Sequence, residues 1–402
     1  MKTLLQIDVC CNWGSTGKIA EQIGLLAEKQ GWKVYHVWGR HKNPSKLTDI
    51  KVGNMLGVYE HYAENILLDN EGLASRCATK KLIKKIDWIK PDVVQLHDIH
   101  NHWLNYKILF EYLVEKQIPV VWTQHDQWAT TGHCCYNLVG CDRWKTECYD
   151  CPLSKWYSLD RSRRNFNLKK NLCAGLKSLT IVPVSEWLAD NMRQSHLKNR
   201  PIEVIHNGID TNVFKPVVPT PIKDKRIEDK KILLAVASVW SDAKGLSDYI
   251  KLSEVLPDDY IIVLVGLKES QIASLPQRIV GLPRTQNVTE LVQLYSMAHI
   301  VMSLSYSETF GLSIVEGMAC GTPAIVYDNT AQKYLIDEKT GLSVKTGDIA
   351  GVAEAVKLLD TRIESNAEGI SADCRKRAGD YYDKNKNYQS YISLYNKLLG
   401  GG

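Results

Sequence analysis

Two successive series of alternating strands and helices constrain the fold of this chain most. In the first series, an apolar strand pattern over Leu4 to Val9 precedes Gly17 to Gln30, whose apolar side chains recur at helical spacing. A second series begins at Ile232 to Val236. Strands that alternate with helices form parallel sheets covered on both faces, so the chain predicts two doubly wound α/β domains. The other predicted strands are Lys33 to Trp38, Val93 to His97, Pro119 to Gln124, Leu179 to Ser185, Tyr260 to Val265, Ala298 to Leu304 and Ala324 to Tyr327, with helices over Glu186 to Met192 and Val288 to Ala298.

A change of composition separates the two series. Three prolines, Pro216, Pro219 and Pro221, are followed by a run rich in Lys, Arg, Asp and Glu that is typical of an exposed linker. A length of 402 residues also favours two domains. We predict an N-terminal domain over residues 1–215, a second domain over residues 216–378 and a C-terminal helical segment over residues 379–402.

The composition indicates an ordinary globular protein. Hydrophobic residues make up 44% and charged residues 24% of the chain. The sequence has no apolar run of about 18 residues, the length needed to span a bilayer. The apolar N-terminal stretch is interrupted by Asp8 and lacks the features of a signal peptide, so we expect a cytoplasmic protein. A net charge of +5 permits an anionic substrate or membrane surface and does not call for nucleic acid.

The segment Ser307 to Glu316 carries the strongest functional signal. Glu308 follows a predicted buried strand, and Glu316 lies eight positions later, inside the next predicted helix. Ligands of open α/β sheets bind where parallel strands end. Backbone amides at a helix N-terminus attract phosphate, and carboxylates accept hydrogen bonds from sugar hydroxyls. The pattern indicates a nucleotide-sugar site, and the alternative is two surface glutamates around an ordinary helix cap.

This segment resembles the E-x7-E signature of the retaining glycosyltransferase family 4, whose members have the GT-B fold of two Rossmann-like domains. Asn207 to Pro216 is similar to the family's hinge sequence Asn-Gly-Val/Ile-Asp-x-x-x-Phe-x-Pro. The resemblance extends over nearly the whole chain and is strongest over residues 204–345. It implies a nucleotide-diphosphate-sugar donor held in the interdomain cleft. It also implies that the last helix, Tyr381 to Leu399, crosses back onto the first domain.

The resemblance assigns roles to residues of the second domain. Glu308 would fix the donor sugar, and Glu316 would hold the ribose hydroxyls. Lys244 would stabilise charge on the departing diphosphate. The family also places an Arg near Lys244, but Val239 occupies that position, so helix dipoles or another residue such as Arg284 would replace it. The backbone amides that would share this diphosphate contact are those of Phe310, Gly311 and Leu312.

Two features of the first domain are candidates for the same site. Gly14 lies in a glycine-containing loop, Asn12 to Lys18, which the resemblance places near the donor phosphate and the acceptor. His125 ends a predicted strand, where family 4 often carries a histidine, so the resemblance implies that it reaches the transferred sugar or the acceptor; the alternative is a simple loop cap. Nearby histidines and an aspartate form an acceptor surface or, in the favoured interpretation, an incidental loop cluster. These are His97, Asp98, His100 and His102.

A cysteine-rich segment indicates a metal site. Cys148 and Cys151 have the C-x2-C spacing of a metal knuckle, and Cys134 and Cys141 would complete a tetrahedral set. In a reducing compartment, such a cluster favours structural zinc, with disulfides or free thiols as the alternatives.

The stretch from Arg143 to Lys177 is basic and contains aromatic residues. It holds nine Lys and Arg residues against three Asp and Glu residues, for a net charge of +6. It would meet an anionic membrane surface or a pyrophosphate-linked acceptor, or else form a solvated face. The interleaved aromatic residues are Trp144, Trp156, Tyr157 and Phe166.

Taken with the resemblance, these features predict a hexosyltransferase-type enzyme of surface-polysaccharide synthesis, with a lipid-linked or soluble glycan acceptor and no nucleic-acid partner. Retention in such folds is explained by front-face attack, and the sequence offers no evident side-chain nucleophile. No Asp-x-Asp metal motif occurs at a strand end, so we expect catalysis without a metal cofactor. A phosphorylase or epimerase of the same architecture, or a non-catalytic scaffold, are the alternatives.

Overall fold

The computed structural model of the chain describes residues 1–136, 140–154, 158–220 and 224–400. Three residues named above, Trp156, Tyr157 and Pro221, lie outside these ranges. The chain divides into two compact units. Unit 1 comprises Met1–Ile205 together with the chain from Tyr388 onward, and unit 2 comprises His206–Asn387. The division falls upstream of residue 215, where the change of composition begins.

Unit 1 is built on a parallel sheet of six strands, in the order β5-β3-β1-β6-β7-β8. Every residue of its β6, β7 and β8 is buried, as expected for strands covered by helices on both faces. The strands are β1 (Thr3–Ile7), β2 (Cys10–Cys11), β3 (Lys33–Trp38), β4 (His41–Lys42), β5 (Thr48–Lys51), β6 (Val93–Leu96), β7 (Val120–Gln124) and β8 (Leu179–Pro183). The helices are α1 (Gly14–Lys29), α2 (Met55–Leu68), α3 (Arg76–Ile89), α4 (Tyr106–Lys116), α5 (Ser162–Gly175) and α6 (Glu186–Gln194).

Unit 2 repeats this plan with a second six-stranded parallel sheet, in the order β11-β10-β9-β12-β13-β14. The two doubly wound α/β domains expected from the sequence are therefore confirmed. The strands are β9 (Lys231–Val236), β10 (Tyr260–Val265), β11 (Ile279–Leu282), β12 (Ile300–Ser303), β13 (Ala324–Tyr327) and β14 (Gly341–Val344). The helices are α7 (Leu246–Val255), α8 (Glu269–Ile272), α9 (Val288–Met297), α10 (Leu312–Ala319) and α11 (Ile349–Tyr381), the last of which is kinked at Asn366.

The last helix, α12 (Lys384–Leu398), contributes to the core of unit 1. Its buried face packs with Leu4, Val93 and Val121 of the sheet. The Tyr395 hydroxyl donates a 2.6 Å hydrogen bond to the side-chain oxygen of Gln95 on β6. The buried residues of this face are Tyr388, Tyr391, Ile392, Leu394 and Tyr395.

The largest described difference from the predicted element bounds concerns the start of the last helix, and it has a local cause. The predicted last helix began at Tyr381, but α11 ends there and α12 begins at Lys384. Between them the backbone pairs with Ile209, whose N–H donates to the Tyr382 carbonyl at 2.8 Å. A helix cannot continue through backbone groups that are bonded elsewhere.

Among the described residues, no helix combines the length and apolar character required for a bilayer span.

Candidate active site

A sharp turn at Gly311 sets up the site edge of unit 2. Gly311 precedes α10 with a φ of 106°, a conformation that favours glycine. A side chain here would also approach the Leu335 side chain to 3.0 Å. Because the first amides of a helix have no acceptor within that helix, those at the start of α10 are suited to an anion. The structure thus places Gly311 and Leu312 at a helix N-terminus, where the sequence predicted them.

Lys244 and Glu308 form an ion pair at this edge, with 2.5 Å between Lys244 Nζ and Glu308 Oε1. Both side chains are partly exposed, at 35% and 21%. Lys244 ends a short 3-10 turn, and Gly245 follows it with a φ of 76°. The backbone of Glu308 is fixed because its N–H donates to Thr330 Oγ1 at 3.0 Å. A cation and a carboxylate are therefore held beside the start of α10 before any ligand arrives.

Glu316 is oriented by a buried tyrosine. The Tyr295 hydroxyl on α9 donates a 2.8 Å hydrogen bond to Glu316 Oε2. Burial, reinforced by the Glu316 charge, raises the pKa of Tyr295 well above its ordinary value, so the hydroxyl keeps its proton and remains a donor. Tyr295 carries no sequence signal of a site residue, because its partner lies 21 positions away.

The Phe310 side chain is buried, so only its backbone is a candidate for ligand contact. Its ring packs near the rings of His206 and Tyr382, with centroids 6.1 and 5.7 Å away. Val239, at the position where family 4 places an Arg, is 64% exposed. Arg284, the suggested substitute, is exposed on the loop between β11 and α9.

The corresponding edge of unit 1 is buried and carries a pair of histidines. His97 follows β6 and His125 follows β7, and their nitrogens Nδ1 and Nε2 lie 3.0 Å apart. The rings stack with centroids 5.3 Å apart. Burial lowers the pKa of both histidines, and for His97 the drop is large, so both rings are neutral at neutral pH. The structure corrects the interpretation of His97 as an incidental loop residue, because it is a direct partner of His125.

A fully buried aspartate, Asp8, and a partly buried one, Asp98, accompany the histidine pair. Asp8 follows β1 and is inaccessible to solvent. Burial, and to a smaller extent repulsion from Asp98, raises the pKa of Asp8 well above its ordinary value. Burial also raises the pKa of Asp98. Two interacting carboxyl groups in one low-dielectric site favour retention of a proton.

Gly14 begins α1 at the same edge of unit 1, with a φ of 67°. Space around it is open, since an added Cβ would meet no atom within 4 Å. The positive φ, not crowding, therefore favours glycine here. The helix therefore begins at Gly14, three residues before the predicted start at Gly17, and most of the predicted loop Asn12 to Lys18 is the first turn of α1.

His100 belongs to a second polar cluster of unit 1. Its Nε2 lies 2.8 Å from Asp126 Oδ2, and its Nδ1 lies 4.0 Å from the Cys135 sulfur. Burial by itself would lower the pKa of His100, but the neighbouring Cys135 and Asp126 raise it well above its ordinary value. His102 lies apart from this cluster and bonds Asn65 at 3.0 Å. His97 and His100 are thus buried members of polar networks, and the partly buried Asp98 lies 3.9 Å from His100 Nε2.

The remaining predicted groups also lie in unit 1. One small cavity is lined by all four cysteines of the predicted metal site, Cys134, Cys141, Cys148 and Cys151.

Several side chains of the basic stretch have partners within unit 1. Arg164 donates to Asn70 at 2.8 Å, Arg163 lies 3.2 Å from Glu147, and Lys169 is buried against the Trp128 carbonyl. Much of the charge that the sequence suggested for a membrane surface therefore has partners within the protein.

Comparisons with known proteins agree with this geometry. The model of "Glycosyltransferase Family 4" matches residues 20–213, and that of "Glycosyl transferases group 1" matches residues 219–370. A putative colanic acid biosynthesis glycosyl transferase, WcaC of Escherichia coli, is 22% identical over 98% of this chain and 100% of its own. A Campylobacter jejuni N,N'-diacetylbacillosaminyl-diphospho-undecaprenol alpha-1,3-N-acetylgalactosaminyltransferase is 28% identical over 54% of this chain and 60% of its own.

Solved structures share the fold. Anabaena HepE in complex with UDP-glucose has a TM-score of 0.65 at 16% identity, covering 99% of this chain and 100% of its own. WaaG, a glycosyltransferase involved in lipopolysaccharide biosynthesis, also has a TM-score of 0.65, at 13% identity over 99% and 100% of the two chains. With two consecutive family models that together cover most of its length, and a fold shared with solved GT-B glycosyltransferases, this chain belongs to the family 4 type of glycosyltransferases.

Proposed function

We propose that this protein is a retaining, metal-independent glycosyltransferase that moves a sugar from a nucleotide-diphosphate sugar to a lipid-linked glycan at the cytoplasmic face of the membrane. The observation that carries the proposal is the Lys244–Glu308 ion pair beside the N-terminus of α10. It combines a cation for phosphate, free helix amides for phosphate, and a carboxylate for sugar hydroxyls.

The donor would bind through groups that unit 2 already holds in place. The diphosphate would accept hydrogen bonds from the amides of Phe310, Gly311 and Leu312 and would draw Lys244 from Glu308. Glu308 would then accept from hydroxyls of the donor sugar. Glu316, held by Tyr295, would accept from the ribose hydroxyls.

Bond cleavage leaves additional negative charge on the diphosphate. The amides and Lys244 would stabilise this charge as it develops, which lowers the barrier to sugar transfer. The acceptor hydroxyl would attack from the face that the diphosphate leaves, and its proton would pass to the leaving phosphate. No protein nucleophile is required in this scheme, and the anomeric configuration is retained.

The edge of unit 1 would serve the acceptor or the transferred sugar. Because His97 and His125 are neutral and hydrogen-bonded, His125 would act as a hydrogen-bond partner of a hydroxyl and not as a fixed positive charge. Gly14, at the open start of α1, would allow a ligand to approach the backbone.

A lipid-linked acceptor is supported by a helix of unit 1 that buries polar side chains and exposes apolar ones. Helix α2 buries His61 and Asn65 while it exposes Leu56, Tyr59 and Leu67, at 72%, 64% and 60%. An outward apolar face of this kind is typical of contact with a membrane or partner. The neighbouring α3 exposes Trp88 and four lysines, Lys80, Lys81, Lys84 and Lys85, which would attract anionic lipid. The Campylobacter relative is named for a diphospho-undecaprenol acceptor substrate.

The donor assignment is tested with a panel of nucleotide-diphosphate sugars. We expect one of them to be hydrolysed slowly without acceptor and to transfer its sugar with retained configuration, as determined by NMR of the product. Glu308→Gln should abolish most turnover while Glu338→Gln, an exposed control in the same unit, should not. Brief assay in EDTA should leave activity intact. Inverted product or an absolute need for magnesium or manganese would contradict the mechanism.

The membrane assignment is tested with two matched charge reversals. Replacement of Lys81, Lys84 and Lys85 by Glu should abolish sedimentation with anionic liposomes at low salt, because each basic residue contributes about 1 kcal/mol near such a surface. The same reversal of Arg161, Arg163 and Arg164 should reduce binding less, since these side chains interact with Asn70, Asn165 and Glu147. If only the arginine variant loses binding, the original interpretation of the basic stretch is the better one.

A further inference from the structure

Four cysteines of unit 1 surround a cavity of a size suited to one ion. Cys134, Cys141, Cys148 and Cys151 all line a space of about 20 Å³. A cavity of roughly 10–15 Å³ already accommodates one water molecule, so this space fits a single small occupant. Cys134 interacts with Cys151, and Cys148 interacts with both Cys141 and Cys151. All four are free cysteines, not disulfides, in the structure.

The backbone around the cavity is arranged to support a thiolate. The Gly132 N–H donates to the Cys148 sulfur at 3.3 Å. A side chain at Gly132 would collide with the backbone of Ser162, the first residue of α5, at 2.6 to 2.8 Å. The cysteine-rich segment is therefore packed directly on the start of α5. Trp144, 5% exposed, also lines this space.

A buried carboxylate–histidine pair lies immediately outside the sulfur atoms. His133 Nε2 lies 2.7 Å from both carboxylate oxygens of Asp69, which is inaccessible to solvent. The same histidine hydrogen-bonds the Cys151 sulfur. Histidines and carboxylates in this relation to a metal ligand orient it and tune its charge.

The surroundings also contain cations that would balance a thiolate-rich centre. Four thiolates around Zn²⁺ carry a net charge of −2. Lys169, buried in unit 1, interacts electrostatically with Cys148, and Arg143 lines the cavity. Buried charge is tolerated where opposite charge is close, so these residues favour an anionic metal centre over four neutral thiols.

We propose that Cys134, Cys141, Cys148 and Cys151 bind one Zn²⁺ as a closed, structural site. Four protein sulfur ligands leave no open coordination position, so the ion would not take part in sugar transfer. Its role would be to connect the cysteine-rich segment to α5 and to the turn that carries Asp69. Two nearby groups are the competing locations for a metal ion: His100 with Asp126 and Cys135, and Asp69 with His133 and Asp160.

The test is elemental analysis of the full-length protein purified without chelator. We expect about one zinc per chain in the wild type, and loss of that zinc in Cys141→Ser and Cys148→Ser. Cys77→Ser, an exposed cysteine of α3, is the control for loss of a thiol. Cys135→Ser tests the competing location at His100 and Asp126. Both Cys77→Ser and Cys135→Ser should retain the zinc. Zinc lost on Cys135→Ser but retained on Cys148→Ser would overturn the proposal.

Because the ligand variants will fold poorly if the zinc is structural, two measurements use the wild type alone. Co²⁺ exchanged into the protein should give the intense visible and thiolate charge-transfer absorption of a tetrahedral sulfur site. Chelation should release zinc together with four additional alkylatable thiols. A zinc-free, stable protein with four reactive thiols, or with two disulfides, would overturn the proposal. Nucleotide binding by unit 2 is measured separately, so failure here is distinguishable from failure of the proposed function.

Discussion

The two sheets end in site edges of opposite character. In unit 2 the edge is charged and partly exposed, with Lys244 and Glu308 paired beside the start of α10. In unit 1 the edge is buried and its histidines, His97 and His125, are neutral. Fixed charge suits a ligand whose own charge is constant, such as a diphosphate. A neutral, hydrogen-bonded pair suits hydroxyl groups. Two sheets of the same plan therefore present edges that suit different chemical groups, because one edge is charged and the other is neutral.

The largest effect should come from Glu308. We expect Glu308→Gln to reduce kcat by roughly 10²–10³-fold, the range seen when one group that stabilises a transition state is removed. Affinity for the free nucleotide, measured by calorimetry, should change little because the sugar is absent. A large loss of nucleotide affinity with unchanged kcat would place Glu308 at the nucleotide and contradict the assigned role.

The next effect should come from Glu316. Loss of a charged hydrogen bond costs about 1.5–3 kcal/mol, so Glu316→Ala should weaken nucleotide binding by about 10- to 150-fold. Tyr295→Phe, which only removes the group that orients Glu316, should have a smaller effect in the same direction. If both variants bind nucleotide as the wild type does, the ribose assignment is wrong.

Gly311→Ala tests whether the turn before α10 is required. The positive φ and the approach to Leu335 should cost about 1 kcal/mol or more of stability and should weaken nucleotide binding. Gly31→Ala is the matched control, because Gly31 has a φ of 83° and open space around it in the other unit. A smaller stability loss is expected in the control, because only the positive φ contributes there, and its nucleotide affinity should be unchanged.

His97→Phe should affect the function of the unit 1 edge and leave nucleotide binding by unit 2 unchanged. The ring stacking on His125 is retained while the hydrogen bond, worth about 0.5–1.5 kcal/mol, is lost. We expect kcat to fall by about 2- to 12-fold and its acidic pH limb to shift, with nucleotide affinity unchanged. His97→Asn, which can still donate, should recover part of the activity. Unchanged kcat and pH profile would show that the pair is only structural.

The smallest effect concerns Asp8 and depends on pH. Because its pKa is raised in the folded protein, ionisation is penalised above the ordinary pKa near 4, and the penalty grows until the folded-state pKa is reached. Asp8→Asn removes this penalty. Denaturant unfolding should therefore show the variant stabilised relative to wild type at pH 8 and equal to it at pH 4. The opposite trend would contradict a buried, proton-retaining Asp8.

Features with short, fixed spacings could be predicted from the sequence. The glutamates of unit 2 are eight positions apart on one strand-loop-helix segment, so their neighbourhood follows from local structure alone. The pairing of His97 with His125 spans 28 positions and depends on β6 lying beside β7, which the pattern of apolar residues does not specify. Helix α2 was not identified for a different reason, because its polar His61 and Asn65 point inward and invert the usual pattern.

The assignment of α12 to unit 1 has a consequence for how this protein is made. The first sheet is encoded before residue 184, but the Tyr391, Ile392 and Tyr395 side chains that complete its core follow the whole of unit 2 in the sequence. During synthesis, unit 2 has all its residues before unit 1 does. The usual N-terminal-first order of domain folding is therefore reversed at its final step. Ribosome-bound chains from which residues up to Asn387 have emerged should hold a folded unit 2 and a protease-sensitive unit 1, which becomes resistant once the rest of α12 has emerged as well.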